Sequence, residues 1–325
     1  MEERPATAAA PSATAGPGIM SGRTSHDRAG AGDESASSGF SLVAVLVFML
    51  IVSAIVVPFA VTAKTRLMIA NNEVEQERLS LLAEGLGNVI ASELTGGSGP
   101  KTFALDSTPA ACRSGAFSFD VRVQDHSGLV DLNAADDHLL ALGFASLGFE
   151  QQASQALAEA AIRFRDNAKL FAGQPRPRSA VGPPQDKQAP FESVSELQEF
   201  SALASVPLQA LHAAFTVNSK RGTISADRAP SRLRAALATG SSAAVVQAAE
   251  ASAYTVDVVV RRDGSGITGE AGFIIEKSPV SDTAFWRVSR SPAGDAGTLP
   301  TVVGSAGCEV LFGTEAAQLL QVWGS

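Results

Sequence analysis

An almost unbroken run of apolar residues occupies positions 40–63 of this 325-residue chain. Only Ser41, Ser53, Pro58 and Thr62 interrupt it. A helix of that length spans about 36 Å at 1.5 Å per residue, and the hydrocarbon core of a bilayer is roughly 30 Å thick. The run therefore predicts one membrane-spanning helix, to which the rest of the chain is attached.

The sequence SGFSL at 38–42 marks the start of this run. A secretory signal is cut after its apolar core, which is then discarded. Here the bond between Gly39 and Phe40 lies before the apolar run, so cleavage there would remove a leader, 1–39, and retain the helix. This junction resembles the prepilin-type signal of type IV pilins and pseudopilins. The alternative is a single-span anchor that is never cut. If translation starts at Met20 instead of Met1, the leader is shorter.

The net charge argues against a nucleic-acid partner. The chain carries 25 Lys and Arg against 33 Asp and Glu, a formal net charge of −8. Three of the basic and five of the acidic residues precede position 40, so the rest of the chain has 22 basic against 28 acidic residues. That balance offers no stripe of positive charge for phosphates. Basic residues flank the apolar run on both sides, so positive-inside counting leaves its orientation open.

Two cysteines, Cys112 and Cys308, lie far apart in the region after the span. If the prepilin interpretation holds, this region is periplasmic, and an oxidising compartment allows a disulfide to persist. The alternative is two separate buried thiols. Cys112 lies in a loop-like stretch and Cys308 at the head of a short apolar segment predicted as a strand, and we favour the disulfide.

The helical pattern continues beyond the span without a breaker. Apolar residues recur every three or four positions, as on one face of a helix, although 71–78 is nearly all polar. The cluster GGSGP at 96–100 then ends the helix and forms a linker. The sequence thus predicts one long helix whose membrane-spanning half is 40–63 and whose periplasmic half is 64–95.

The region after the linker predicts a head of strands and helices. Regular alternation of apolar and polar residues at 117–124 indicates a half-buried strand, whose apolar face is expected to pack on the helix. The predicted core is Phe117, Phe119, Val121, Leu129, Leu132, Leu86 and Ile90. The predicted segments are a strand at 117–124, a turn at 125–128, a returning strand at 129–132, helices at 136–147, 151–166, 194–200 and 207–215, a proline-rich loop at 173–190, and strands at 254–261, 269–277, 285–291 and 308–312.

Five segments of the head, in this order, resemble the minor pseudopilin K family of the type II secretion system (general secretion pathway protein K). They are VDLNAA at 130–135, IRFRD at 162–166, APFESVSEL at 189–197, FTVNS at 215–219 and ISADRAP at 224–230. The resemblance implies an α+β fold, in which a pilin-like long N-terminal helix packs on a small antiparallel sheet and a large all-helical domain, SAM-like or helix-hairpin-like, is inserted. The implied division is a leader at 1–39, the helix halves at 40–63 and 64–95, the first part of the head at 96–132, the inserted helical domain at 133–215, and the second part of the head with C-terminal strands at 216–325.

The same resemblance implies a function in protein secretion. Members of this family are minor pseudopilins at the tip of the pseudopilus, where they initiate assembly with minor pseudopilins of the I and J types and with the major pseudopilin. Prepilin peptidase would cut before Phe40 and methylate its amine. The implied location is the inner membrane of a Gram-negative bacterium, with a single span and the head in the periplasm. Most pilins have Glu at the fifth mature position, but Ala44 stands there, which suits a subunit without an upper neighbour.

Calcium is the one cofactor that the resemblance raises. Relatives have an acidic cluster in the loop after Asp166, but here the next carboxylate is Asp186. Calcium takes six to eight oxygen ligands, so this loop supplies too few. Other candidate ligands are Asp131, Asn133, Asp136 and Asp137. Asn133 and the two aspartates that follow it are better explained as helix N-terminus residues, so a calcium site is possible but disfavoured.

No motif for catalysis stands out, and we expect a protein that is not an enzyme. The histidines after the leader, His126, His138 and His212, are expected to be solvated or partly buried rather than general bases. Two other classes stay open. One is an uncleaved single-span periplasmic protein. The other is a membrane-anchored DNA-binding protein of the helix-hairpin-helix type, although the corresponding hairpin, SLGFE at 146–150, is acidic.

Overall fold

The computed structural model describes residues 37–95, 103–166, 181–183, 187–240, 245–246, 253–264, 266–276, 289–290 and 306–324. The chain divides into two compact units, Met1–Thr65 and Arg66–Ser325. The predicted leader before residue 37, the linker at 96–100 and most of the proline-rich loop lie outside the described residues.

The fold is mixed α+β, with a long N-terminal helix and a small sheet. The helices are α1 (Ser37–Thr95), α2 (Asp137–Ser146), α3 (Gln151–Arg165), α4 (Leu208–His212), α5 (Ser231–Thr239) and α6 (Cys308–Gly324). The strands are β1 (Ala110–Ser114), β2 (Phe117–Asp125), β3 (Val130–Asp131), β4 (Phe215–Thr216), β5 (Ile224–Ser225), β6 (Val245–Val246), β7 (Ala253–Arg262), β8 (Thr268–Glu276), β9 (Ser289–Arg290) and β10 (Ala306–Gly307).

Helix α1 is continuous through the predicted membrane-spanning and periplasmic halves. Pro58 lies inside it and contributes no N–H to the helix, while the hydroxyl of Thr62 donates to the Pro58 carbonyl oxygen at 2.8 Å. In the second unit one stripe of α1 is buried at spacings of three and four residues, as the sequence predicts. This stripe is Leu79, Ala83, Leu86, Ile90 and Leu94.

The stripe packs on a six-stranded sheet of order β10-β1-β2-β7-β8-β9. Neighbouring strands are antiparallel except β1 and β10, which are parallel. Alternate residues of β2 and β7 face the helix, as the pleat of a strand requires. At Gly269 of β8 the sheet approaches the α1 backbone at Leu79 so closely that a Cβ atom would overlap it. We call this apolar interior, which includes Phe119, Val121, Leu86 and Ile90, the first core.

The predicted hairpin at 117–132 is wrong in its second half. β2 has the predicted position, but β3 does not return along it and instead pairs in parallel with β4. A 3₁₀ turn, His126–Gly128, carries the chain away from the sheet. Leu129 and Leu132, which we expected beside Phe119, are therefore buried in a different apolar cluster.

That cluster, the second core, is formed by helices and connecting segments between Leu129 and Leu237. It includes α2 and α3, the 3₁₀ helix Val194–Glu199, and α5. The predicted helix at 194–200 is thus a 3₁₀ helix, and the predicted helix at 207–215 ends at His212 before β4 begins. Helix α5 lies beyond the interval 133–215 that the resemblance assigns to an inserted domain.

The strand predicted at 308–312 is also wrong, because Cys308 begins α6. Leu311, Phe312 and Leu320 of this helix are buried in the first core. Gly313, with φ of 79°, interrupts the helix directly after Leu311 and Phe312. The apolar run before this break is only as long as a strand, so its length does not distinguish a strand from a helix. Of the predicted strand 285–291 only Ser289 and Arg290 are described, and they form β9. Strands β7 and β8 confirm the predictions at 254–261 and 269–277.

Candidate functional site

The predicted processing site lies at the beginning of α1, where Gly39 and Phe40 belong to its first turn. Every residue from 41 to 65 is exposed within the chain. The large side chains Phe48, Leu50 and Phe59 are 64%, 70% and 78% exposed. An apolar helix with no covering residues of its own is stable only in lipid or against other apolar helices. The helix is long and apolar enough to cross a bilayer, which is compatible with a single-span anchor.

The carboxylate of Asp131 is fully buried at the end of β3 and accepts four hydrogen bonds. Oδ1 accepts from the backbone N–H groups of Asn133 (2.8 Å) and Ala134 (3.0 Å). Oδ2 accepts from the hydroxyl of Ser219 (2.9 Å) and the N–H of Lys220 (2.7 Å). These donors satisfy both oxygens, which compensates for the burial of the charge. Asp131 therefore ties together the loops that follow β3 and β4.

The other three calcium candidates are also engaged in bonds within the protein. The amide of Asn133 pairs with the backbone of Phe191, accepting from its N–H at 2.7 Å and donating to its carbonyl at 2.9 Å. Asp136 caps α2 by accepting from the N–H of Leu139 at 2.7 Å, and Asp137 accepts from the N–H of His138 at 2.9 Å.

Asp131 and Asn133 make six hydrogen bonds between them within the protein, so a calcium ion here would have to compete with these bonds. Within the described ranges there is also no group of three or more His, Cys, Asp or Glu that could hold a metal. The cap that we expected on α2 is present at Asp136.

The end of β2 is a polar junction between the first and second cores. The fully buried Asp125 forms an ion pair with Arg228 and accepts from the N–H of Ser127 at 2.8 Å. The side chain of Gln124 donates to the carbonyl oxygen of Arg228 at 2.9 Å. Gly128 lies so close to the same carbonyl that a Cβ atom would overlap it. The junction is therefore tightly packed and requires glycine at position 128.

His126 is buried at this junction, so the expectation that it is solvated or partly buried is wrong. Its Nδ1 lies 2.7 Å from the hydroxyl of Thr216 on β4 and its Nε2 lies 2.8 Å from the hydroxyl of Thr255 on β7. Burial, reinforced by the charge that His212 would carry, lowers the pKa of His126 to about 3. The ring is therefore neutral at pH 7, with one nitrogen donating and the other accepting. It links β4, in the two-stranded β3–β4 sheet, to β7 in the six-stranded sheet.

A cleft of about 400 Å³ lies beside His126 and His212. Burial lowers the pKa of His212 as well, so both rings that line the cleft are neutral at pH 7. This cleft could not be predicted from the sequence, because its walls come from segments far apart in the chain. They include Leu129, Ser193, Ser195, Phe215, Thr255 and Ile274.

Cys112 of β1 and Cys308 at the start of α6 are joined by a disulfide, and both are buried. The bond closes a sequence separation of 196 residues. It fixes the C-terminal helix to the same side of the sheet as the first core.

Comparison with known proteins gives a structural likeness but no family. No protein family matches the chain, and no curated protein matches it. Among solved structures, the chain is similar to a chain of the GspK-GspI-GspJ complex of the type 2 secretion system from enterotoxigenic Escherichia coli, with a TM-score of 0.44 and 13% sequence identity. The match covers 70% of this chain and 100% of that chain.

Proposed function

We propose that this chain is a non-enzymatic minor pseudopilin, located at the tip of a type II secretion pseudopilus, where it initiates assembly with other minor pseudopilins and the major pseudopilin. The observation that carries the proposal is the apolar half of α1. This half begins at the junction of Gly39 and Phe40, and every side chain described in it, from residue 41 on, is exposed. Such a helix can be held in the membrane before assembly and can pack against sister helices afterwards.

Two further features support the tip position. The head has a second core in addition to the one built on the sheet, and a subunit with so much extra structure is tolerated best where no subunit is stacked above it. Position 44 is Ala, so the chain lacks the carboxylate that would pair with the N-terminus of an upper neighbour. The disulfide between Cys112 and Cys308 supports an oxidising location for the head, as expected of the periplasm.

The first test of the proposal is processing. We expect prepilin peptidase to cut between Gly39 and Phe40, and the new amine to be methylated. Gly39→Leu should block the cut, because the peptidase must approach the backbone closely at this position. Intact-mass spectrometry of the membrane-extracted protein measures both events, and Ser35→Leu in the leader serves as the control. An intact leader on the wild-type protein would favour the alternative of an uncleaved single-span anchor.

The second test is assembly. In a strain that lacks the gene, we expect export of folded periplasmic substrates to stop and to return when the wild-type gene is supplied. Leu50→Asp should not restore export, because a charge in the middle of the span costs about 2.5–3.5 kcal/mol on the insertion scale, whereas Leu50→Ala should restore it. Ala44→Glu should restore export as well, since a tip subunit has no upper neighbour at this position. Normal export by the deletion strain would exclude the proposed function.

A further inference from the structure

The part of α1 beyond the predicted span carries a second line of apolar side chains, separate from the buried stripe. Leu67, Val74 and Leu81 are 62%, 53% and 55% exposed. They recur every seven residues, which is about two helical turns, so their side chains lie above one another along the helix. We call this line the outer seam. A seven-residue apolar repeat is the pattern by which one helix packs against another.

The outer seam lies on the side of α1 opposite the stripe that packs on the sheet. Successive residues of a helix are about 100° apart, so residues nine positions apart face in opposite directions. Val74 and Leu81 each precede by nine positions a completely buried residue of that stripe, Ala83 and Ile90. Gly85, one turn beyond Leu81, also faces open space. The described part of the head therefore packs on one side of α1, and the outer seam is accessible on the other.

Lipid does not explain the whole of the outer seam. The predicted span ends at Ala63 and is by itself long enough to cross the hydrocarbon core. Val74 lies about 16 Å beyond Ala63 along the helix, and Leu81 lies about 27 Å beyond it, at 1.5 Å per residue. At that distance a row of exposed apolar side chains is in contact with water unless another protein covers it.

Two carboxylates beside the outer seam indicate what the covering helix carries. With the seam at position a of the seven-residue repeat, Glu77 and Glu84 occupy position d, next to it. Both side chains are exposed, and neither forms an ion pair in the parts of the chain that the structure describes. Glu75, by contrast, accepts a hydrogen bond from Arg262 of β7 at 2.7 Å. The head thus engages one acidic residue of this region and leaves the two beside the seam for a partner.

A second copy of this chain does not fit this face. In a parallel pair of identical helices each d position lies against its counterpart, so Glu77 would meet Glu77 and Glu84 would meet Glu84. Two carboxylates brought together in this way repel each other and lose their hydration. A helix with Lys or Arg at the facing positions converts the same contacts into ion pairs.

We propose that the outer seam binds one parallel helix of a different membrane-rooted subunit, whose apolar stripe is flanked by Lys or Arg. The seam covers only about two heptads, and helices so short associate weakly by themselves. It acts where the membrane already holds the two helices at a high effective concentration. The inference rests on the proposed function, and it adds the face of α1 that selects a sister subunit and the charge that this subunit carries.

Crosslinking in intact cells tests the position of the partner. The photo-reactive residue benzoylphenylalanine replaces Leu81 or, as the matched control, Asn72, which is exposed and lies nine positions away on the opposite side of α1. The cells also contain differently tagged copies of the I-type, J-type and major pseudopilins and of this chain. We expect the adduct at 81 to contain one of the three pseudopilins, at several times the yield from 72. Equal yields, an adduct mainly with the second copy, or none with any tagged chain would overturn the proposal.

Charge reversal tests the acidic flank. With the photo-reactive residue at 81, Glu77→Lys should lower the yield of the adduct about three- to tenfold, because an attractive contact becomes a repulsive one. Glu93→Lys is the control, since Glu93 is also exposed on α1 but lies about 120° around the helix from Leu81. It should leave the yield unchanged. Equal yields from the two variants would mean that the carboxylate selects no partner, contrary to the proposal.

The melting temperature shows whether Glu77→Lys acts through folding instead. Because Glu77 is exposed, the variant purified in detergent micelles should melt within about 2 °C of the wild-type chain. A larger drop would assign Glu77 to the stability of the head and count against the proposal.

The outcomes separate this inference from the proposed function. If export stops on deletion of the gene but no adduct forms at 81, the proposed function stands and the outer seam is not its contact surface. Normal export by the deletion strain excludes the proposed function even where the adduct at 81 forms.

Discussion

Replacement of Phe119 by alanine is expected to lower the free energy of unfolding by about 3–5 kcal/mol. Phe119 is completely buried in the middle of β2, which lies between β1 and β7 in the sheet. Its ring centroid lies 6.4 Å from that of Phe117 and 6.1 Å from that of Phe312 on α6. The substitution would leave a cavity that the sheet on one side and α1 and α6 on the other cannot easily collapse to fill.

Urea denaturation of the purified chain in detergent micelles measures this effect. Leu81→Ala is the control, because Leu81 is also a large apolar residue of the second unit but is 55% exposed. We expect the control to change the free energy of unfolding by less than about 1 kcal/mol. If Phe119→Ala and Leu81→Ala were equally mild, the assignment of Phe119 to the centre of the first core would be wrong.

The sequence could predict the first core because that core depends on local periodicity. The two-residue alternation of β2 and the three-and-four spacing of α1 each specify one buried face, and the two faces do pack together. The prediction that Leu129 and Leu132 belong to the first core is wrong, since a short apolar segment after a turn has the same sequence pattern whether it returns along the sheet or leaves it. What decides between the two is the parallel pairing of β3 with β4, whose Phe215 lies far along the chain from Val130.

The candidate site shows the same limit. The sequence correctly predicts that Asp136 lies at a helix N-terminus, because a capping residue and its helix are neighbours in the chain. The role of Asp131 could not be predicted, since its partners Ser219 and Lys220 are 88 and 89 residues away. For the same reason, the burial of His126 between the hydroxyl groups of Thr216 and Thr255 could not be predicted from the sequence.

Loss of the disulfide is expected to produce the other large effect. The double substitution Cys112→Ala with Cys308→Ala should lower the free energy of unfolding by about 2–5 kcal/mol, because the bond no longer restricts the unfolded chain. The closed loop is long, with a sequence separation of 196 residues, so the chain-entropy model places the effect near the upper end, at about 5 kcal/mol.

Denaturation of the wild-type chain with and without dithiothreitol measures the disulfide directly, and the double alanine variant, which cannot respond to the reductant, is the control. Equal stability of oxidised and reduced wild type would contradict the prediction.

The effect of the disulfide should also depend on Phe119. Phe312, which contacts Phe119, lies on α6 in the helical segment that begins at Cys308, so both the bond and the ring hold α6 against the sheet. Once Phe119 is removed, α6 has lost part of its packing, and the disulfide becomes the principal restraint on its position. The triple variant should therefore be less stable than the sum of the separate losses indicates. Strict additivity would mean that α6 stays in place without either restraint, and that the rest of its buried face, around Leu320, is sufficient to hold it.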